Sequence, residues 1–406
     1  MSSSYRYAYI TAVDLSIDNG PGINEREFVK ELLASYGERI ICIIPSPSRP
    51  ENYSDSRISY VVNHRGRNPF YYLLYLFSLF FKVFKLHRHA RLDALVFRLD
   101  LFAIEPIILS SLLRIPFFLK TLAGYTGFSN LASKRQRLIS LVSLPLYRIA
   151  TRRAIAADTV SAPYILWQKF IYRLDTDKVH IIRNGANLEM FSPSNKRKLQ
   201  DEFNLDRFSY VIGYVGALSA LRNIDTLIYA LAKVNQEKPV ALVLVGEGQG
   251  RSEIEALVEE SGLSANVFFT GAIPYAAVPS YMNLFDAAVD LTCVPMKIDQ
   301  TILNASYSQK IPQYLGCGLP VIAWSVEDNN FLDAEGIGKL VTIGDTVGLT
   351  VAIESLAGLS DVERKDMSSR ARLYAEQEFS LNRLTQKRFL LWDESMRKFL
   401  KKGEAV

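Results

Sequence analysis

The stretch "SYVIGYVGALSALRNID", Ser209 to Asp225, decides the architecture. An apolar run rich in β-branched and aromatic residues ends at a glycine, crosses a short polar turn and opens on "IDTLIYALAKVNQ", whose apolar residues recur at helical spacing. Strand, glycine turn and helix in that order are the opening step of a doubly wound α/β sheet. The same order occurs earlier in the chain. The strand "YAYITAV" (7–13) is followed by the glycine turn "DNGPGINEREF" (18–28) and by the helix "NEREFVKELLASYG", in which Phe28, Leu32 and Leu33 share one face and Gly37 stops the helix. A series that begins twice predicts two such units in tandem.

The remaining elements fill both series. "ERIICIIP" (38–45), "ISYVV" (58–62), "DALVFRL" (93–99), "PFFLKTL" (116–122), "TVSAP" (159–163) and "VHIIRNG" (179–185) are expected strands of the first unit. "VALVLVGEG" (240–248), "NVFFTGAI" (266–273), "AAVDLT" (287–292), "LPVIAW" (319–324) and "GKLVTI" (338–343) continue the second, with the helices "RSEIEALVEESG", "VPSYMNLF" and "KIPQYLGCG" between them. The segment "VPMKIDQTILNASYSQK" (294–310) reads as a loop. The loop "LEMFSPSNKRK" (188–198) marks the boundary, giving domains of 1–190 and 191–385. The last segment, 386–406, is expected to be a helix that packs back on the first domain, with Leu384, Phe389, Leu391 and Trp392 as buried contacts around it. Ligands of such sheets bind beyond the C-terminal strand ends, so two facing units predict a ligand in an interdomain cleft.

Composition bounds the function. A chain of 406 residues with 49% hydrophobic and 22% charged residues is globular, which excludes wholesale disorder. Cys42, Cys293 and Cys317 are too far apart for a metal motif and odd in number, so a disulfide framework is not expected and the setting is reducing and cytosolic. "MSSSYRYAYITAV" lacks a basic stretch ahead of its apolar run and does not read as a signal peptide. The segment "PFYYLLYLFSLFFKVFKL" is uncharged only from Phe70 to Phe81, short of the roughly 20 residues that a spanning helix needs. Charge is unevenly placed: residues 60–153 hold 15 Lys/Arg against 3 Asp/Glu. Basic and apolar residues on one surface point to anionic lipid headgroups. No nucleic-acid-binding motif accompanies them.

Few residues offer obvious chemistry. His64, His87, His89 and His180 are the four histidines, and His87 and His89 fall on different faces of a helix with no acidic or cysteine cluster beside them. "DTD" (175–177) has the spacing to chelate a divalent cation, but it stands in a polar turn where Asp serves local backbone hydrogen bonds, the reading preferred here. The glycine turns are more informative. Gly20 and Gly22 in the first unit and Gly216 in the second can let a backbone approach a ligand, and Arg222 is a potential phosphate clamp. Such turns occur in most α/β folds, but a pair of them suits a ligand carrying a diphosphate.

"KVHIIRNGANLEMFSP" (178–193), "GYVGALSALRNIDTLIYAL", "LVLVGEGQGRSEIEAL", "VFFTGAIPYAAVPSYMNLFD", "SQKIPQYLGCGLPVIA" and "YAEQEFSLNRL" (374–384) follow one another in a familiar order. Over about residues 145–395 the chain resembles the retaining glycosyltransferases of GT-B fold, the glycosyltransferase family 4-like group that includes sucrose synthase and many bacterial mannosyl- and glucosyltransferases. The resemblance implies two Rossmann-like domains. It also implies transfer of a sugar from a nucleotide-diphosphate donor with retention, and neither a metal nor a separate cofactor.

The resemblance assigns roles by position. Arg222 falls where the family has a phosphate-binding lysine, and Lys310 lies on the donor-side loop. The family arginine after Gly216 is replaced by Ala217. In the family's paired-carboxylate motif the second position is Gln313 and the first is Ala305, so both carboxylates are missing. "SQKIPQY" (308–314) matches a form of the motif that keeps only the second carboxylate, here replaced by glutamine, which accepts from one ribose hydroxyl and donates to the other. Gly271 to Pro274, including Ile273, are the expected base contacts, and Asp299 and Asn304 the expected ribose or sugar contacts. The first domain would bind the acceptor. There "AGYTGF" lacks a histidine common in relatives, leaving Asp100 and Glu105 as bare candidates that equally fit a solvated turn or helix cap. The expected acceptor is lipid-linked or a polysaccharide precursor in envelope or exopolysaccharide assembly, with the protein peripheral on the inner face of the membrane. Ala217, Ala305 and Gln313 keep open a non-catalytic homologue that binds nucleotide sugar or partners a true transferase. A nucleotide-sugar epimerase of related fold fits the Asn-Gly signature and the C-terminal segment less well.

Overall fold

The computed structural model describes residues 5–49, 55–64, 69–99, 103–120, 134–172, 176–194, 202–219, 222–236, 239–298, 301–306 and 308–403. The chain divides into two compact units. The first comprises Met1–Arg183, Pro295–Leu303 and Leu381–Val406, and the second Asn184–Val294 and Asn304–Ser380.

The first unit is built on strands β1 (Tyr7–Ile10), β2 (Ile40–Pro45), β3 (Ile58–Val61), β4 (Ala94–Arg98), β5 (Phe117–Lys120), β6 (Ala156–Thr159) and β7 (Val179–Ile181). They form one sheet in the order β3-β2-β1-β4-β5-β6-β7, and each pair is parallel. Helices α1 (Gly20–Tyr36), α2 (Pro69–Ala90), α3 (Ile104–Leu113), α4 (Lys134–Arg153) and α5 (Ala162–Tyr172) connect them. Right-handed crossovers place α1, which leads leftward to β2, on one face, and α2 to α5, which lead rightward, on the other. Phe28, Leu32 and Leu33 of α1 are buried as their spacing predicts, and Gly37 ends the helix at a positive φ of 50°. "TVSAP" is not the strand it resembles: β6 lies three residues earlier, at "AADT", and Ala162 already begins α5. Alanine and aspartate favour strands weakly, so position between β5 and β7 rather than propensity makes this one.

The C-terminal helix, Leu381–Gly403, belongs to this unit. Phe389 and Trp392 pack against Tyr7, whose hydroxyl donates to Asp393 at 2.7 Å. Arg388 donates to Asp158 at the end of β6 at 3.0 Å, with both side chains 3% exposed. Removing Asp158 would leave the Arg388 cation buried without its carboxylate, at a cost of about 3–5 kcal/mol.

The second unit holds β8 (Tyr210–Val215), β9 (Val240–Val245), β10 (Val267–Gly271), β11 (Ala287–Asp290), β14 (Val321–Trp324) and β15 (Gly338–Val341) in the order β10-β9-β8-β11-β14-β15. All six residues of β9 are buried, the continuous apolar run of a strand covered on both faces. The region read as a loop from 294 to 310 instead contains a two-stranded sheet, β12 (Val294–Ile298) and β13 (Thr301–Ala305), followed by the helix Lys310–Gly316.

Candidate active site in the second unit

In a doubly wound sheet the strand order reverses at one point, and ligands bind beyond the strand ends there. In the second unit that point lies between β8 and β11. Three segments meet at it: the turn after β8, the residues closing β11, and the helix Lys310–Gly316 that leads to β14.

Strand β11 ends on Asp290, whose side chain has no exposed surface, and Thr292 follows two residues later. Lys310 Nζ donates to Asp290 Oδ1 at 2.8 Å and to Thr292 Oγ1 at 3.3 Å. Arg222 Nη1 donates to the same Thr292 Oγ1 at 3.0 Å. One hydroxyl oxygen, with two lone pairs, therefore gathers both cations. The Lys310 ammonium also sits 4.6 Å from the centre of the Tyr214 ring, within cation–π range.

Burial pushes the Asp290 carboxyl up, but the Lys310 charge and hydrogen bonds from Lys310, Ser308 and Thr292 pull harder, holding it below the ordinary value. Burial pulls the Lys310 ammonium down, and Arg222 adds to that pull. Asp290 opposes both and does not overcome them. The cluster thus carries two cations against one carboxylate, and an added anion would relieve it. Donors remain for one. Among the described residues Lys310 uses two of its three N–H groups, and the buried Arg222 Nε has no partner.

The backbone beside the cluster is committed to packing. Gly216 (φ +143°) donates its N–H to Val245 at 2.9 Å, and Leu218 donates to Glu247 at 3.0 Å. A Cβ at Gly246 would stand 2.1 Å from the Gly216 carbonyl oxygen, so the turns after β8 and β9 touch backbone to backbone. The expected close approach at Gly216 is therefore to another turn of the same unit, and contact with an anion falls to side chains. The Ala217 carbonyl accepts from Tyr214 at 3.0 Å.

Tyr314 Oη accepts from the Val215 N–H at 2.8 Å and fixes the helix Lys310–Gly316 against β8. One residue earlier, Gln313 is buried and donates through Nε2 to Tyr275 Oη at 3.3 Å. Tyr275 directly follows the expected base-binding segment. In that segment Gly271 (φ +71°) accepts from Gly246 at 3.0 Å, and Ile273 packs half-buried against the unit's core. Ala305 is fully buried at the end of β13, Asn304 precedes it half-buried, and Asp299 lies outside the described residues.

In the first unit, Asn19 caps α1 and accepts from the Gly22 N–H at 2.8 Å. A Cβ at Gly22 would lie 2.1 Å from the Ile17 carbonyl, whereas Gly20 faces open space. Glu105 is buried and accepts from Tyr72 at 2.8 Å, which excludes the solvated-cap reading; Asp100 and Asp175 lie outside the described residues, and Asp177 sits in a short 3-10 turn. Among the described residues no group of three His, Cys, Asp or Glu is placed to hold a metal ion.

The structure thus joins Arg222 and Lys310, and it adds two residues that sequence reasoning missed, Asp290 and Thr292. "AAVDLT" was legible as a strand, and its signal was a carboxylate closing an apolar run at the switch point.

Residues 209–358 match the family model described as Glycosyl transferases group 1. The chain is 32% identical over 160 residues to the D-inositol 3-phosphate glycosyltransferase of Segniliparus rotundus, covering 38% of this chain and 33% of that one. Such alignments span about a third to a half of the curated relatives' own length. The sucrose-phosphate synthase of Thermosynechococcus elongatus superposes with a TM-score of 0.73 at 18% identity, covering 96% of this chain and 98% of that one. HepE of Anabaena, solved with UDP and also with UDP-glucose, gives a TM-score of 0.72 in the UDP complex at 18% identity, over 96% and 100% of the two chains. At that identity the likeness carries the fold and not the function. The chain has the GT-B fold, and over residues 209–358 it is similar to the glycosyl transferases group 1.

Proposed function

We propose that the protein is a metal-independent, retaining glycosyltransferase that takes a sugar from a nucleotide-diphosphate donor. The observation that carries this reading is the convergence of Arg222 and Lys310 on Thr292 at the switch point. As the bond from the anomeric carbon to the diphosphate breaks, negative charge develops on the leaving oxygen. Two preplaced cations with N–H groups to spare stabilise that charge more than they stabilise the ground state. Gln313, tied to Tyr275, is the ribose-binding group, and Gly271 to Ile273 flank the base. The UDP and UDP-glucose complexes of HepE support a diphosphate donor of this kind. The acceptor is a lipid-linked or polysaccharide-precursor hydroxyl at the inner face of the membrane, in envelope or exopolysaccharide assembly. The excess of basic residues between 60 and 153 supports that placement.

A panel of nucleotide sugars, screened by thermal stabilisation and then by product formation, tests the reading. A ligand at 100 times its Kd adds about 2.7 kcal/mol, and no stabilisation by any nucleotide diphosphate would overturn it. One observation favours a second reading: Ala305 is fully buried and Gln313 is uncharged, so neither family carboxylate is present. A binding homologue without turnover would show stabilisation but no transfer, with or without Gln313→Glu.

A further inference from the structure

Helix α2 is apolar on two opposite faces. Tyr72, Tyr75, Leu79 and Val83 are buried against the first unit. Phe70, Leu73, Leu74, Phe77, Phe81 and Phe84 are exposed, with Phe70, Phe77 and Phe81 at 64%, 72% and 71%. At about 100° per residue these six lie within roughly 100° of arc, directly opposite the buried four. The stripe does not stand alone. Helix α3 packs against both α2 and α4, and Leu112 on α3 with Leu141 and Val142 on α4 are 70%, 62% and 61% exposed. A soluble surface rarely leaves so many large apolar side chains together on neighbouring helices.

The charge around them selects the occupant. Helices α2, α3 and α4 together hold nine Lys/Arg and a single carboxylate, Glu105, which is buried. Lys85 and Arg88 are exposed in the last turns of α2, and Arg152 and Arg153 at the end of α4. A protein partner or a second copy of this chain would cover the phenylalanines without needing that imbalance. A sheet of anionic headgroups over an acyl layer needs both. Among the described residues no helix is long and apolar enough to cross a membrane, and α2 keeps its inner face on the protein.

We infer that the exposed face of α2, extended by α3 and α4, seats the first unit on an anionic bilayer, with Phe77 and Phe81 entering the acyl boundary and Lys85 and Arg88 meeting lipid phosphates. This deepens the membrane-proximal acceptor reading. Vesicle binding needs no sugar nucleotide, so the two can fail separately. The full chain is floated with vesicles of phosphatidylcholine alone and with about one-third phosphatidylglycerol. Flotation is expected with the anionic vesicles and is weakened by salt. Phe77→Ser with Phe81→Ser should lower binding at least about tenfold at either salt, while Lys85→Glu with Arg88→Glu should abolish the preference for phosphatidylglycerol. All variants alter exposed positions, and an unchanged thermal melt confirms the fold. Absence of flotation with any vesicle, or flotation that the phenylalanine variants leave intact, overturns the inference. So does a dimer in sedimentation velocity that Phe77→Ser dissociates, since a second copy would then be the occupant.

Discussion

Replacing Arg222 and Lys310 one at a time should produce two different defects. Arg222 contacts Thr292 through Nη1, and its buried Nε has no partner among the described residues, so the guanidinium has a donor left for an anion. A charge-assisted hydrogen bond to a diphosphate is worth about 1.5–3 kcal/mol, and 1.4 kcal/mol is tenfold. Arg222→Gln should therefore weaken binding of the nucleoside diphosphate that the nucleotide-sugar panel selects about 10- to 150-fold, with little change in the unliganded melt. At that diphosphate fixed at 100 times the wild-type Kd, ligand stabilisation should fall from about 2.7 to about 0.3–1.4 kcal/mol. Lys310 is bound up with the fold: without it, Asp290 is a fully buried carboxylate lacking its ion-pair partner. Lys310→Met should cost stability, up to about 3–5 kcal/mol, and affinity as well. Adding Asp290→Asn removes the stranded charge and should restore much of the stability while affinity stays low. The four proteins, compared by thermal unfolding with and without that diphosphate and by calorimetric titration, give a pattern that no single structural role produces. Diphosphate affinity within twofold of wild type in Arg222→Gln would refute the placement of the diphosphate at this cluster.

Three further outcomes follow from particular contacts. Lys120, 2% exposed beside Glu25, Tyr9 and Arg98, is brought to about 8, burial outweighing the pull of Glu25. Between that value and its ordinary one the unfolded chain binds the extra proton, so the contribution of Lys120 to stability rises with pH from about 8 to 10.4, by about 3 kcal/mol at 1.36 kcal/mol per pH unit. Buried Cys42 and Cys317, whose thiols burial pushes up, pull the other way in both proteins, so the check is the difference: denaturant melts should show wild type gaining on Lys120→Met across that window. Gln313→Glu keeps a partner in Tyr275, so steady-state kinetics should show KM for the donor moving more than kcat. Gly246→Ala places a methyl 2.1 Å from the Gly216 carbonyl at φ +136°, and should cost at least about 2 kcal/mol in a chemical melt.

What the sequence revealed depended on how local each signal is. The turn after β8 and the helix after it were legible because their periods switch within about 15 residues. The pair β12 and β13 was not. "VPMKI" and "TILNA" mix Pro, Lys and Asn into short runs, and the intervening Asp-Gln is not a strong hairpin turn. Strand β6 was misplaced because "AADT" has weak strand propensity and is fixed by its neighbours β5 and β7. Arg222 and Lys310 could be named one by one, but their meeting point could not. Thr292 lies 70 residues from one and 18 from the other, and only the strand order brings β8 beside β11.

The same geometry gives Gln313 a physical sense. Lys310 and Gln313 are three residues apart on one helix, so their Cβ atoms lie about 5–6 Å from each other. Opposite unit charges at the spacing of those Cβ atoms attract by about 3 kcal/mol at an effective dielectric of 20, which sets the order of magnitude for two side chains that reach to different partners, Lys310 to Asp290 and Gln313 to Tyr275. A glutamate at 313 would thus draw on the Lys310 ammonium, which Asp290 already engages, and would bring the cluster of Arg222, Lys310 and Asp290 from one net positive charge to none. A glutamine leaves that positive charge uncommitted. It gives up one charged acceptor for ribose hydroxyls, where a neutral amide can still accept and donate. In exchange, the attraction for a bound diphosphate is kept. The trade predicts a donor site that holds its ligand by the phosphates more than by the ribose. The nucleoside diphosphate of the donor should therefore retain most of the affinity of the nucleotide sugar and the free nucleoside almost none, whereas nucleoside binding within tenfold of the diphosphate would place the affinity on the nucleoside and leave Gln313 without this explanation.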